Sequence, residues 1–153
     1  MQLKEPDVSI KRSPTKEEIE LVMKHGKRYK PAVLPDDIPR GRLGWCFDDS
    51  MKACILTNEK YRYVEGLAKA TPADKWMLHA WMTDGENAFD PTWYGIGQAE
   101  AKGIQLSTYI GIEMPLLAVM LFVKATKYQG VIPNRHMYPH TLETVIAATK
   151  GQQ

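Results

Sequence analysis

The dipeptide Asp84-Gly85 stands between two β-prone runs, 76–83 and 86–90, and no other feature of the chain restricts its fold as strongly. Asp-Gly is favoured where a tight turn needs positive φ at its central residues, the geometry that joins adjacent antiparallel strands. The two runs are therefore expected to form a β-hairpin. A two-residue turn makes Thr83 and Glu86 the flanking pair and sets His79 opposite Asp90. Opposed side chains share a face with Cβ atoms about 4.5–5.5 Å apart, within reach of an imidazole–carboxylate hydrogen bond. The same pairing holds for a four-residue loop centred on the dipeptide, whereas a three-residue loop with a bulge breaks it.

Other segments supply elements to pack against that hairpin. Thr15 and Glu18 form a capping box ahead of the apolar stripe Ile19, Val22 and Met23, and Gly26 ends it, which predicts a helix over 16–25. Pro31, Pro35, Pro39, Gly41 and Gly44 make 27–44 a connecting loop that excludes a long helix or a central strand. Phe47, Met51, Cys54 and Ile55 recur at helical spacing, so a helix is expected from Cys46 to about residue 57. The aromatic and β-branched segment 61–67 reads as a strand closed by the turn at 71–74, and 107–112 as a further strand. Residues 93–103, with three glycines, read as irregular. An apolar helix is expected over 114–128, ended by Gly130, and a closing helix over 142–150, started by Thr141 and stopped by Gly151. The expectation is one α+β domain over 15–153 behind a loose charged arm over 1–14, with the Cys46 helix against an antiparallel sheet and the 114–128 helix on another surface.

Composition excludes several classes of function. With 153 residues, 44% of them hydrophobic and 25% charged, the chain matches a single globular domain that buries enough surface to stand without disulfides. A net charge of +2 is too small for a phosphate-gripping surface, so no nucleic-acid partner is expected. The longest apolar run, 116–123, is far short of the roughly 20 residues that span a bilayer, and 1–16 carries no apolar leader. The expected setting is cytoplasmic, with no membrane partner and two reduced cysteines.

Three residues point to chemistry. Cys46 falls at a helix start, where the macrodipole and free N–H groups favour a thiolate, and Arg40 and Arg42 upstream are positioned to add positive charge. Asp48 and Asp49 oppose that effect unless they point elsewhere. His79 is the base available to such a thiol, and Asp90 opposite it would orient the ring and fix its tautomer. Cys54 shares its helix face with Phe47 and Met51 and reads as core.

The series Gly44-Trp45-Cys46-Phe47, Tyr63-Val64-Glu65-Gly66, His79-Ala80-Trp81 and Asp90-Pro91-Thr92-Trp93 resembles the core of the transglutaminase-like branch of the papain-like cysteine enzymes, as found in small bacterial and phage proteins. The likeness covers about residues 41–112. It implies a nucleophilic cysteine opening a helix packed on an antiparallel sheet, with Cys46, His79 and Asp90 as the triad. The implied chemistry is thiol acyl transfer, as a hydrolase such as an amidase or thiol protease, or as a transamidase, on a peptide, protein or small amide. One departure is visible: papain-like proteases carry a Gln before the cysteine for the oxyanion hole, and here Arg40 and no Gln or Asn occupies that stretch. The backbone N–H of Cys46 supplies one donor, and a missing second one costs roughly 2–4 kcal/mol of transition-state stabilisation. A binding or host-interaction protein that keeps the fold without activity is therefore the alternative reading.

Candidate substrate contacts are Trp45, Trp81 and Trp93, placed either to wall a cleft or to fill the core, and Glu65, whose neighbour Gly66 admits close approach of backbone or substrate. No metal and no cofactor are expected. Pro139 breaks the spacing of His136 and His140 and no third ligand is near, while Gly95-Ile96-Gly97 lacks the remainder of a dinucleotide fingerprint.

Overall fold

The computed structural model describes residues 13–42, 44–69, 75–93 and 107–151. Most of the 1–14 arm and of the irregular 93–103 segment, and all of the expected turn at 71–74, lie outside them. The described residues form an α+β fold of four α-helices and a five-stranded sheet: α1 (Lys16–His25), β1 (Lys27–Ala32), α2 (Cys46–Leu56), β2 (Arg62–Lys69), β3 (Met77–Thr83), β4 (Asn87–Phe89), β5 (Thr108–Met114), α3 (Leu116–Thr126) and α4 (Pro139–Gly151). The α1 capping box forms in full, with Thr15 Oγ1 accepting from Glu18 N and Glu18 Oε1 from Thr15 N.

The sheet closes into a barrel in the order β1-β4-β3-β2-β5, β5 returning to β1. All pairs are antiparallel except β1–β4. This corrects the expectation of a purely antiparallel sheet and of a strandless 27–44. Proline is tolerated in β1 because Lys30 N–H donates to Glu86 O on the β4 side. Alternation then turns the Pro31 nitrogen to the β5 side, where pairing has already ended at Tyr29. The 142–150 helix begins earlier than expected, at Pro139, a residue suited to a first helical turn.

Two apolar clusters divide the core. Tyr29, Val64, Ala68, Trp81, Ala88 and Tyr109, contributed by all five strands, fill the barrel interior with Trp93 at its mouth. Trp81 meets Tyr29 and Tyr109 edge-to-face, at 5.9 and 5.0 Å between ring centroids. So large a ring fits because Gly111 lies across from it: a Cβ there would sit 2.8 Å from the indole and 2.7 Å from Val64 Cγ1. Outside the barrel, Tyr63, Leu67, Leu78, Ala80, Met82 and Ile112 belong to the larger cluster that includes Phe47, Met51 and Cys54 of α2 and Val119 and Phe122 of α3. Helix α2 thus lies on β2 and β3, with Cys46 at its first residue.

Candidate active site

The hairpin differs from the tightest turn its sequence allows. Thr83 pairs with Ala88 and Met82 with Phe89, so residues 84–87 form the loop and the register is shifted by two from the expected one. The Asp84 side chain causes the shift: its Oδ1 accepts from Glu86 N and Asn87 N and its Oδ2 from Asn87 Nδ2, which takes both residues out of the β3–β4 pairing while Asn87 still pairs with Lys30 of β1. A two-residue shift keeps every side chain on its face. His79 and Asp90 are therefore diagonal rather than opposed, and the contact still forms, with Nε2 of His79 2.7 Å from Oδ2 of Asp90.

Asp90, just past the end of β4, accepts four hydrogen bonds, the full complement of a carboxylate. Oδ2 takes His79 and the Tyr109 hydroxyl at 2.8 Å, while Oδ1 takes the backbone N–H groups of Thr92 and Trp93, each at 3.1 Å. Tyr109 was not legible as a site residue, because nothing local in its segment says which β5 side chain crosses the barrel.

His79 is 3% exposed. Trp93 stacks on its ring at 4.3 Å and 23°, with the Trp81 ring farther off at 6.3 Å. Burial disfavours the imidazolium, but the Asp90 carboxylate, the Cys46 sulfur and hydrogen bonds to both outweigh it and raise the pKa of His79 to about 10. Since Nε2 is taken by Asp90, Nδ1 is the ring nitrogen left for the Cys46 thiol.

Cys46, 7% exposed, begins α2 after Trp45, which offers no side-chain cap. The first N–H groups of the helix are thus left without the usual capping oxygen. The two first-turn carboxylates are engaged elsewhere. Asp49 accepts from Arg42 N at 2.6 Å and pairs with its guanidinium at 3.1 Å, while Asp48 pairs with Lys52 at 2.8 Å and Arg42 at 3.5 Å. Arg42 therefore neutralises these carboxylates rather than adding net positive charge beside the thiol. Cys54 lies in the core, its thiol pushed up to about 12 by burial and then by Glu59.

The substrate-contact candidates fall in different places. Trp45 is half-buried under the Arg42 guanidinium, 4.4 Å from its ring, and Trp93 is half-buried against His79. Trp81 is wholly inside the barrel. Glu65 is also fully buried, on the opposite face of β2 from Val64, where it accepts from the Tyr63 hydroxyl (2.7 Å), Val131 N (2.8 Å) and Ile132 N (2.9 Å). Its carboxyl is raised by burial, against the three hydrogen bonds that lower it. Gly66 admits backbone: a Cβ there would lie 2.2 Å from Ile110 O of β5.

Among the described residues no helix is long and apolar enough to cross a membrane, and no three His, Cys, Asp or Glu side chains are grouped as metal ligands. Comparison of the chain with protein-family models, curated proteins and solved structures finds no match in any of the three.

Proposed function

We propose that this chain is a cysteine-dependent acyl-transfer enzyme with a transglutaminase-like, papain-like core, acting on an amide. The observation that carries the reading is the continuous line from Cys46 through His79 to Asp90, with the last carboxylate held by four donors. In this reading the thiol proton already resides on His79, whose Nδ1–H faces the Cys46 sulfur, and Cys46 Sγ attacks the amide carbonyl. The tetrahedral oxyanion is met by the N–H groups at the uncapped start of α2. Collapse forms a thioester and expels the amine, which receives the proton from His79. Water then gives hydrolysis, or a second amine gives transamidation, with His79 removing its proton. Asp90 fixes the ring orientation and faces the imidazolium in both halves, and Trp93 stacks on the ring.

A second reading, a binding protein that keeps the arrangement without turnover, is favoured by the burial of all three residues and by the absence of a Gln or Asn from the stretch around Arg40 just ahead of Cys46. A panel of amide-directed electrophilic probes separates the two. The enzyme reading predicts labelling that maps to Cys46 and disappears in a folded Cys46→Ala variant; absence of Cys46 labelling across the panel overturns it.

A further inference from the structure

Helix α3 is apolar on two sides, and only one of them faces the core. Val119, Phe122 and Val123 are buried, while Leu117, Met120 and Leu121 lie on the surface, with Leu117 66% and Leu121 55% exposed. These three continue into Lys124 at the three- and four-residue spacing of a single helix stripe. Across from them Ile55, also exposed, closes a groove of about 570 Å³ between α2 and α3. The groove sits toward the C-terminal half of α2, away from Cys46 at its first residue. Contiguous exposed apolar side chains rimmed by polar groups are the kind of surface that partner proteins cover.

The charges of the rim select the occupant. The ionic residues lining the groove are Lys124 and Lys127, both exposed, and no carboxylate joins them. Neither lysine makes an ion pair among the described residues, whereas Lys52 on α2 is already bound to Asp48. A second copy of this chain would bring the same two lysines and no compensating acid from its own groove. A bilayer is a poor match for a concave slot between two helices. An amphipathic helix has the right shape, since its apolar residues at i, i+3, i+4 and i+7 enter such a groove while its flanks meet the rim.

We propose that the α2–α3 groove is a docking site for an acidic amphipathic helix of a partner protein. Apolar contact with Leu117, Met120, Leu121 and Ile55 supplies attraction, and Lys124 and Lys127 select acidic flanks. This surface is independent of the thiol chemistry and stands or falls separately from it.

The test uses two fluorescent helical peptides with identical leucine spacing, one with glutamate flanks and one with lysine flanks, titrated with the full chain and read by anisotropy. The acidic peptide is expected to bind at least ~10-fold more tightly than the basic one. Added salt should weaken it. Leu121→Gln should weaken it about as much, and Lys124→Glu with Lys127→Glu should invert the preference, with folding unchanged because all three side chains are exposed. No binding of the acidic peptide, or affinity indifferent to flank charge, overturns the proposal. So does concentration-dependent self-association abolished by Leu121→Gln, which makes a second copy the occupant. Stronger binding to anionic phosphatidylserine vesicles than to the peptide, lost in the lysine variants, makes a lipid surface the occupant and likewise overturns it.

Discussion

Asp90 divides its two oxygens between local structure and the site. Oδ1 closes an Asx-type turn onto Thr92 and Trp93, the ordinary use of an aspartate before Pro91, while Oδ2 holds His79 and Tyr109. The turn reading and the site reading of this residue are both realised. Asp90→Asn presents one acceptor and one NH₂ group to two donor pairs, so one pair loses its acceptor. A loss of about 1–3 kcal/mol in denaturant unfolding is expected, together with slower Cys46 labelling. Tyr109→Phe removes one donor of four and should cost about 1 kcal/mol with labelling retained; equal effects of the two changes would contradict this division. The raised pKa of His79 carries a pH signature. The folded state holds the ring proton to about 10 and the unfolded chain only to about 6.5. Stability from this group is thus complete below about 6.5, declines as the pH rises above it, and is lost through about 10. Unfolding free energies measured across that window should fall more steeply for the native chain than for His79→Gln. Parallel curves would show that the imidazole is not held as imidazolium.

At the scale of elements, the helices were more legible than the strands. The capping box of α1, the apolar spacing of α2 and the apolar run of α3 are local signals, and the helices appear where those signals stand. Strand β1 was hidden because Pro31 reads as a breaker, and what rescues it is the direction in which its nitrogen points, which depends on where β4 and β5 lie. The hairpin was readable as a hairpin but not in register, since Asp-Gly admits the two-residue turn and only the Asp84 bonds to Glu86 and Asn87 select the longer loop. Parity explains why the His79–Asp90 pairing nevertheless forms: a shift by two is the smallest that preserves faces. Asp84→Ala removes all three of those bonds from an exposed turn and is expected to lower stability by about 1–2 kcal/mol, measured by urea unfolding. No change would mean that the turn is held by the strands alone.

For the whole molecule, closure of the barrel joins site and core, because Tyr109 and Trp81, which themselves help fill the interior, also reach Asp90 and His79. Gly111→Ala puts a methyl against Val64 and the Trp81 indole. Overpacking of about 1–3 kcal/mol is expected, with altered near-UV dichroism from the displaced indole. A variant as stable as the parent, with unchanged dichroism, would show slack in the interior. Closure was the least legible feature, since it depends on β5 reaching both β1 and β2, pairings with no nearby signal in the chain. The same long-range assembly brings Cys46 of a helix to His79 of a strand, so the reactivity it produces must belong to the folded chain alone. Alkylation by iodoacetamide at about pH 7, followed by peptide mapping of Cys46 and Cys54, measures this directly. Folded Cys46 is expected to label at least ~10-fold faster than the same thiol in denatured protein, with Cys54 protected and the advantage lost in His79→Ala. A Cys46 that reacts no faster folded than unfolded, and is unaffected by His79→Ala, would contradict the assignment of Cys46 and His79 as a nucleophile and its base.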